Sequence, residues 1–321
     1  MKRRTFLAGA GLLIATKGAG LTQSPRNKIG YLHTLSTNPP PVSLSTMRPV
    51  WQRLGYVEGE TVLLRGADGD PGRLPELAAE FLRLEVGVLI AVGPAALRAA
   101  SQATKTTPIV AVDLETDPVG AGLAASFGRP GGNVTGLFLD QPALAGKWLE
   151  LLREAVPSIE RVALVWEPTS GSDQLEAAKA AAGTIGVEML VLEVRTTDGY
   201  EEAFRGVAGV PRTGIVQLGS PAMIVPPARL GEAALKYRLP TISFYTPHGR
   251  AGALLSYGPN LELYFPRAAI LADKIISGVK PGELPIEQPE RYQLVVNLKT
   301  AKVLGLTVPP SLLARADEVI E

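Results

Sequence analysis

The chain has no cysteine and only two histidines, His33 and His248, among its 321 residues. The first absence excludes disulfides, thiolate nucleophiles, iron–sulfur clusters and cysteine-based zinc sites, and also a lipid anchor on an N-terminal cysteine. Two histidines cannot build a three-histidine metal centre. Aromatic residues are scarce at 6%. No block of like charge occurs: formal net charge is +1, and taking away Lys2, Arg3, Arg4 and Lys17 of the N-terminal segment leaves −3. A nucleic-acid binder carries a basic face, so that class is set aside. No Gly-x-Ser-x-Gly elbow, P-loop or His-Glu-x-x-His segment occurs, which removes three common hydrolytic or phosphate-handling signatures. No apolar run approaches the roughly 20 residues that span a bilayer.

What is present begins with Arg3-Arg4-Thr5-Phe6-Leu7, the apolar run Ala8–Ala15 and the small-residue exit Lys17-Gly18-Ala19-Gly20. Positive start, short apolar middle and small-residue end are the order of a removable export signal of the twin-arginine type. The expectation is a signal over residues 1–24 and a mature protein of about 297 residues outside the cytoplasm, in the periplasm; that length suits two domains.

From Lys28 onward, apolar runs alternate with amphipathic stretches. Ile29–Leu32, Thr61–Leu64, Val86–Val92, Pro108–Val112 and Val134–Phe138 read as strands, with helices near 43–54, 75–82 and 95–103 between them. Leu74, Leu77, Ala78, Phe81 and Leu82 recur at helical spacing. The rhythm restarts after Gly128–Gly132, with a helix over 144–155, strands at 162–166, 188–192 and 214–218, and helices near 172–185, 199–208 and 227–237. Two such sets predict an α/β protein of two Rossmann-like lobes with parallel sheets. Asn260–Ser277 reads as one helix and Tyr292–Asn297 as a strand, so the chain is expected to cross between lobes more than once, forming a multi-segment hinge. The expected division is 28–137 with 258–290 for one lobe, and 138–257 with 291–321 for the other. A cleft between such lobes is a common site for small ligands.

Asp113, Glu115 and Asp117 alternate at a strand end, where ligands of parallel sheets gather. Such a set can serve acid–base chemistry, hold a divalent ion or take a ligand's positive group. Asp117, before Pro118, is placed to pair with an ammonium. Gly93-Pro94-Ala95 lies between a strand and a helix, where small residues let main-chain N–H groups face a carboxylate. Trp166, Tyr245 and Tyr257 fall near strand ends, as ligand-stacking or core aromatics. Gly120-Ala121-Gly122-Leu123-Ala124-Ala125 fits a dinucleotide fingerprint in form only, because Asp113–Val119 separate it from its strand. No cofactor is expected.

Several ordered blocks resemble one family across nearly all of the mature chain. They include Leu54-Gly55-Tyr56-Val57-Glu58-Gly59, Gln102–Val110, Asp117-Pro118-Val119-Gly120 and Arg129-Pro130-Gly131-Gly132-Asn133-Val134-Thr135-Gly136. Ser256-Tyr257-Gly258-Pro259 and Pro309–Glu318 extend the match. The chain is similar to the type I periplasmic substrate-binding proteins of ABC transporters, in the branch of the tryptophan/tyrosine-binding proteins. The resemblance implies two lobes joined by three crossings, closing without catalysis on a small polar or aromatic, amino-acid-like ligand. It also implies a membrane permease as partner and a monomeric receptor. It places Ser36, Gly93, Pro94, Ala95, Asp117, Trp166, Glu167, Ser220 and Tyr245 around the ligand. Three loops depart from the family's pattern. Gly93-Pro94-Ala95 stands for Gly-Thr-Pro-Ala, Trp166-Glu167-Pro168 for Trp-Asn-Pro, and Gly219-Ser220-Pro221-Ala222-Met223 for an Asp-Pro-Leu-Phe type. An exported enzyme on a bilobal scaffold and a sensory ligand-binding module are the alternative readings.

Overall fold

Short aliphatic runs become strands here because both of their faces are covered. In the computed structural model, which describes residues 27–139, 141–224 and 226–321, the first five are β1 (Ile29–His33), β2 (Val62–Gly66), β3 (Val88–Val92), β4 (Ile109–Asp113) and β5 (Val134–Phe138). They pair in parallel in the order β2-β1-β3-β4-β5. All but β2 are buried along their whole length. Helices α1 (Val42–Arg53), α2 (Leu74–Arg83) and α3 (Pro94–Ala103) form the crossovers. Leu74, Ala78 and Phe81 of α2 join Leu97 and Ala100 of α3 over one face of the sheet. The export signal expected over 1–24 lies outside the described residues.

The second sheet contains β6 (Arg161–Trp166), β7 (Glu188–Glu193), β8 (Thr213–Gln217), β9 (Thr241–Ser243), β10 (Leu255–Pro259), β11 (Tyr292–Asn297) and β12 (Glu318–Ile320). Their order is β12-β11-β10-β9-β8-β6-β7. Around them lie α4 (Ala145–Ala155), α5 (Asp173–Ile185), α6 (Tyr200–Val207), α7 (Ala228–Lys236) and α8 (Thr246–Arg250). The two expected parallel-sheet lobes are present, with one antiparallel pair, β10 against β11. After β10 the chain leaves this sheet and returns in the opposite direction, so no right-handed crossover joins the two.

The single helix expected over 260–277 is interrupted. It forms α9 (Leu261–Tyr264) and α10 (Pro266–Ile276), since Pro266 has no N–H to continue the ladder. Helix α10 packs on α1, β3, β4 and β5 of the first sheet. The remaining helices, α11 (Leu298–Leu304) and α12 (Pro310–Leu313), belong with the second.

The chain therefore passes between the sheets three times, at 139–144, 260–265 and 277–291. The third passage runs beside β5: Phe138 donates its N–H to Glu287 O (3.0 Å), Glu287 donates to Gly136 O (2.9 Å), and Thr135 Oγ1 donates to Leu284 O (2.8 Å). This covers a strand edge that would otherwise be open. The Tyr264 hydroxyl, in the second passage, lies 3.1 Å from Phe138 O and 2.7 Å from Glu287 O. One hydroxyl of the second passage thus ties the end of β5 to the third passage. Arg267 adds a paired contact to Glu287, at 2.7 Å to each carboxylate oxygen. Among the described residues no helix is long and apolar enough to cross a membrane.

Candidate functional site

The carboxyl ends of β1, β3 and β4 face those of β7, β8 and β9 across a cavity of about 320 Å³, at the lower end of the roughly 300–1,000 Å³ of small-molecule sites. The first lobe contributes His33, Leu35, Ser36, Gly93, Pro94, Leu114 and Glu115; the second contributes Thr196, Pro221, Ala222, Ile224 and Tyr245. Gln141 of the first passage completes the wall, and Phe265 of the second closes one side. Most of these surfaces are apolar, and among the described residues the lining includes no lysine or arginine.

Gly93 has φ +90°, a conformation that favours glycine. This lets the chain turn from β3 directly into α3 while Gly93 N–H bonds Val112 O (2.9 Å). Next to it, Asp113 shapes the loop after β4. Its Oδ1 accepts the N–H groups of Glu115 (2.9 Å) and Thr116 (3.1 Å), and its Oδ2 accepts the Thr116 hydroxyl (2.7 Å). The turn so formed presents Glu115 to the cavity, where it is buried. Burial first, then the negative charges of Asp113 and Glu167, push the Glu115 carboxyl well above its ordinary range; a hydrogen bond with Gln174 acts the other way. Loss of solvation and like charge both favour the neutral acid, and a ligand cation would relieve both.

A smaller recess adjoins the cavity. Thr34, Gly93, Pro94 and Ala95 of the first lobe meet Glu167, Ser170, Ser220 and Pro221 of the second. Glu167 is 5% exposed, and its Oε2 accepts the hydroxyls of Ser170 and Ser220, each at 3.1 Å. Its charge shares the recess with the amino end of α3, where the helix dipole favours an anion.

Of the residues expected around a ligand, Ser36, Gly93, Pro94 and Tyr245 line the cavity, and Gly93, Pro94, Ala95, Glu167 and Ser220 line the recess. Trp166 lines neither; its indole N–H donates to Gly171 O at 2.7 Å. Asp117 is exposed, lines neither space, and uses its Oδ1 to accept Val119 N–H (3.0 Å). The inward acid of this loop is Glu115. The three alternating acids therefore do not converge: one caps the loop, one faces the cavity, one faces solvent. Tyr257 stacks on Tyr292, with ring centroids 5.8 Å apart. Gln141 carries no motif and is invisible to sequence reading.

Both histidines are buried and neutral. His33 lines the cavity with Nδ1 accepting Leu35 N–H (2.8 Å); His248 lies behind Tyr245, with Nδ1 2.8 Å from Ser243 Oγ and Nε2 3.2 Å from Ile224 O. Burial lowers each from 6.5 to about 4. A depressed histidine gives stability that is present above 6.5 and lost as pH falls toward 4, because the unfolded chain takes the proton first. The unfolding midpoint is expected to fall across that interval, and His33→Asn or His248→Asn to make the fall shallower. An unchanged slope would mean that these rings do not enter the fold neutral.

The chain matches the family described as ABC transporter substrate binding protein over residues 47–320. It is 24% identical over 266 residues to the tyrosine-binding protein of Clostridioides difficile strain R20291, covering 78% of this chain and 73% of that protein. The crystal structure of a conserved domain protein from Vibrio cholerae O1 biovar eltor is similar at a TM-score of 0.75 and 25% identity, over 92% of this chain and 99% of that one. An ABC domain from Streptococcus pneumonia in complex with L-Trp is similar at a TM-score of 0.76 and 22% identity, over 91% and 100% of the two chains.

Proposed function

The chain belongs to the ABC transporter substrate-binding proteins, and from that premise we propose that it is a solute receptor whose lobes close on a small amine-bearing molecule with an apolar or aromatic body. The observation that carries this reading is the buried Glu115 in an apolar interlobe cavity lined, among the described residues, by no lysine or arginine. A buried carboxyl without a cationic partner is a site for a ligand's positive group. The walls from Leu35, Val92, Leu114 and Phe265 fit the rest of an amino-acid-like ligand, in keeping with the tyrosine and L-Trp bound by the similar proteins. Ser36, Gly93, Pro94, Tyr245 and, through the recess, Ala95, Glu167 and Ser220 shape the site. Closure couples binding to an open–closed equilibrium, which a membrane permease would read. The twin-arginine pattern Arg3-Arg4-Thr5-Phe6-Leu7 supports export to the periplasm.

Thermal unfolding against amino acids, their decarboxylated amines and the matching amine-free aromatic acids tests this. An amine-bearing ligand at about 100 times its Kd adds roughly 2.7 kcal/mol, raising the midpoint by several degrees, and should be recovered unchanged. Stabilisation by the amine-free acids alone would overturn the proposed ligand class. Chemical conversion of the ligand would make the protein an enzyme instead.

A further inference from the structure

His33 ends β1 with its ring held on two sides. It stacks on Tyr31, with ring centroids 5.9 Å apart, and its Nδ1 accepts Leu35 N–H at 2.8 Å. A ring nitrogen that accepts carries no hydrogen, so the neutral imidazole bears its proton on Nε2. Burial keeps the ring neutral at neutral pH. Nε2–H is thus a donor, and it has no hydrogen-bond partner among the described residues.

This donor lies within reach of a cavity occupant. The amide of Gln141 is unpartnered and sealed from every accessible surface, whereas Nε2 of His33 is unpartnered but not sealed. His33 as a whole is 1% exposed and lines the cavity, so the surface that its Nε2 keeps is cavity surface. Neighbouring polar groups of this wall are already spent. The Ser36 hydroxyl bonds Asn38 N–H (3.2 Å) and Asn38 O (2.9 Å), and the Ser43 hydroxyl bonds that of Tyr31 (2.8 Å). Gly93 N–H goes to Val112 O, and Pro94 has none to give. Buried donors are rarely left unmet, and here the partner must come from within the cavity.

Glu115 stands across the same floor. His33 is level with Val92 of β3, and Val92 with Val112 of β4, so the strands that lead to the donor and the acid are two spacings apart, about 9–10 Å. Between them Gly93 brings no side chain. One molecule can lie over Gly93 with its amine toward Glu115 and an acceptor toward His33. We infer that His33 is a specificity-determining residue of this site, donating its Nε2–H to an oxygen of the amine-bearing ligand. This rests on the binding function proposed above and narrows its ligand to amines that also carry an oxygen acceptor. A phenolic oxygen and a carboxylate oxygen both qualify.

Calorimetric titration with phenethylamine, tyramine and phenylalanine separates these cases, since the second adds only a phenolic oxygen to the first and the third only a carboxylate. The wild type is expected to prefer tyramine or phenylalanine over phenethylamine by about tenfold or more, and the one preferred names the oxygen. His33→Asn is expected to erase that preference. Asparagine still accepts Leu35 N–H through Oδ1, as in an Asx-turn, but has no donor where Nε2 stood. His33→Gln is expected to keep the preference, because its amide nitrogen extends as far from the main chain as Nε2 does. A preference that survives His33→Asn, is lost in both variants or is absent from the wild type overturns the inference and leaves the binding function standing. Binding of none of the three overturns an aromatic amine as the ligand, and the inference with it. The ligand-free protein gives a check that the choice of ligand does not affect. Two-bond proton–nitrogen correlation spectra at neutral pH should show the His33 hydrogen on Nε2 and none on Nδ1; a hydrogen on Nδ1 overturns the inference whatever binds.

Discussion

Gly136→Val is expected to cost roughly 3–5 kcal/mol of stability, the sum of backbone strain and steric overlap, or to prevent folding. Gly136 has φ +141°, and a Cβ there would lie 2.2 Å from Ala111 O and 2.5 Å from Ala111 N. These are main-chain atoms of the residue paired with it across β4 and β5, so no side chain can move aside. The same glycine's carbonyl accepts Glu287 N–H, and a displaced β5 would also release the third passage. Urea denaturation measures the loss. Gly206→Ala in α6 is the control: nothing lies within 4 Å of a Cβ there, and a gain of about 0.4–1 kcal/mol is expected from the stiffer unfolded chain. Equal stability of Gly136→Val and wild type would contradict the strand pairing described.

Glu115→Gln is expected to weaken an amine-bearing ligand on the order of 100-fold, the loss typical of one partner in a buried, hydrogen-bonded charge pair. In the ligand-free protein the same change should raise stability near neutral pH, because it removes a buried acid crowded by Asp113 and Glu167. The pH signs follow from the raised pKa. Glu115's stabilising contribution is full below its unfolded value and is lost as pH rises through the folded one. Amine binding runs the other way and strengthens over that range, since the carboxylate is the binding form. Titrations at acidic and neutral pH check both trends, and each should flatten in Glu115→Gln. The histidines act in the opposite direction on stability, losing it as pH falls.

The strand–helix alternation is legible in the sequence because doubly covered strands leave runs such as Val88-Leu89-Ile90-Ala91-Val92, apolar without a break. β9 is only three residues long, and β10 ends in Gly258-Pro259, which reads as a turn. The antiparallel β10–β11 pair has no local signature, for it arises from the excursion of the intervening chain to the first sheet. The site divides in the same way. Gly93-Pro94, Glu167, Ser220 and Tyr245 follow strands and are legible as loop residues. Asp117 is favoured by its Asp-Pro motif, but its carboxylate serves its own turn, and Glu115 two residues earlier faces inward. Gln141 reaches the cavity only because the three passages lie side by side, which no window of sequence encodes.

The placement of α10 also fixes an order in time. Ala268, Leu271, Ala272 and Ile275 close the apolar layer that includes Ile90, Val110 and Leu137 of the first sheet. Yet β5 ends at Phe138 and α10 begins at Pro266, about 130 residues later in synthesis. At roughly 5–20 residues per second, a ribosome needs about 6–25 s to supply that helix. Through this interval the nascent N-terminal half has one sheet face covered only in part, by α1, and no chain ending before Pro266 can finish it. The first lobe to be made is thus completed only when the last sixth of the polypeptide emerges.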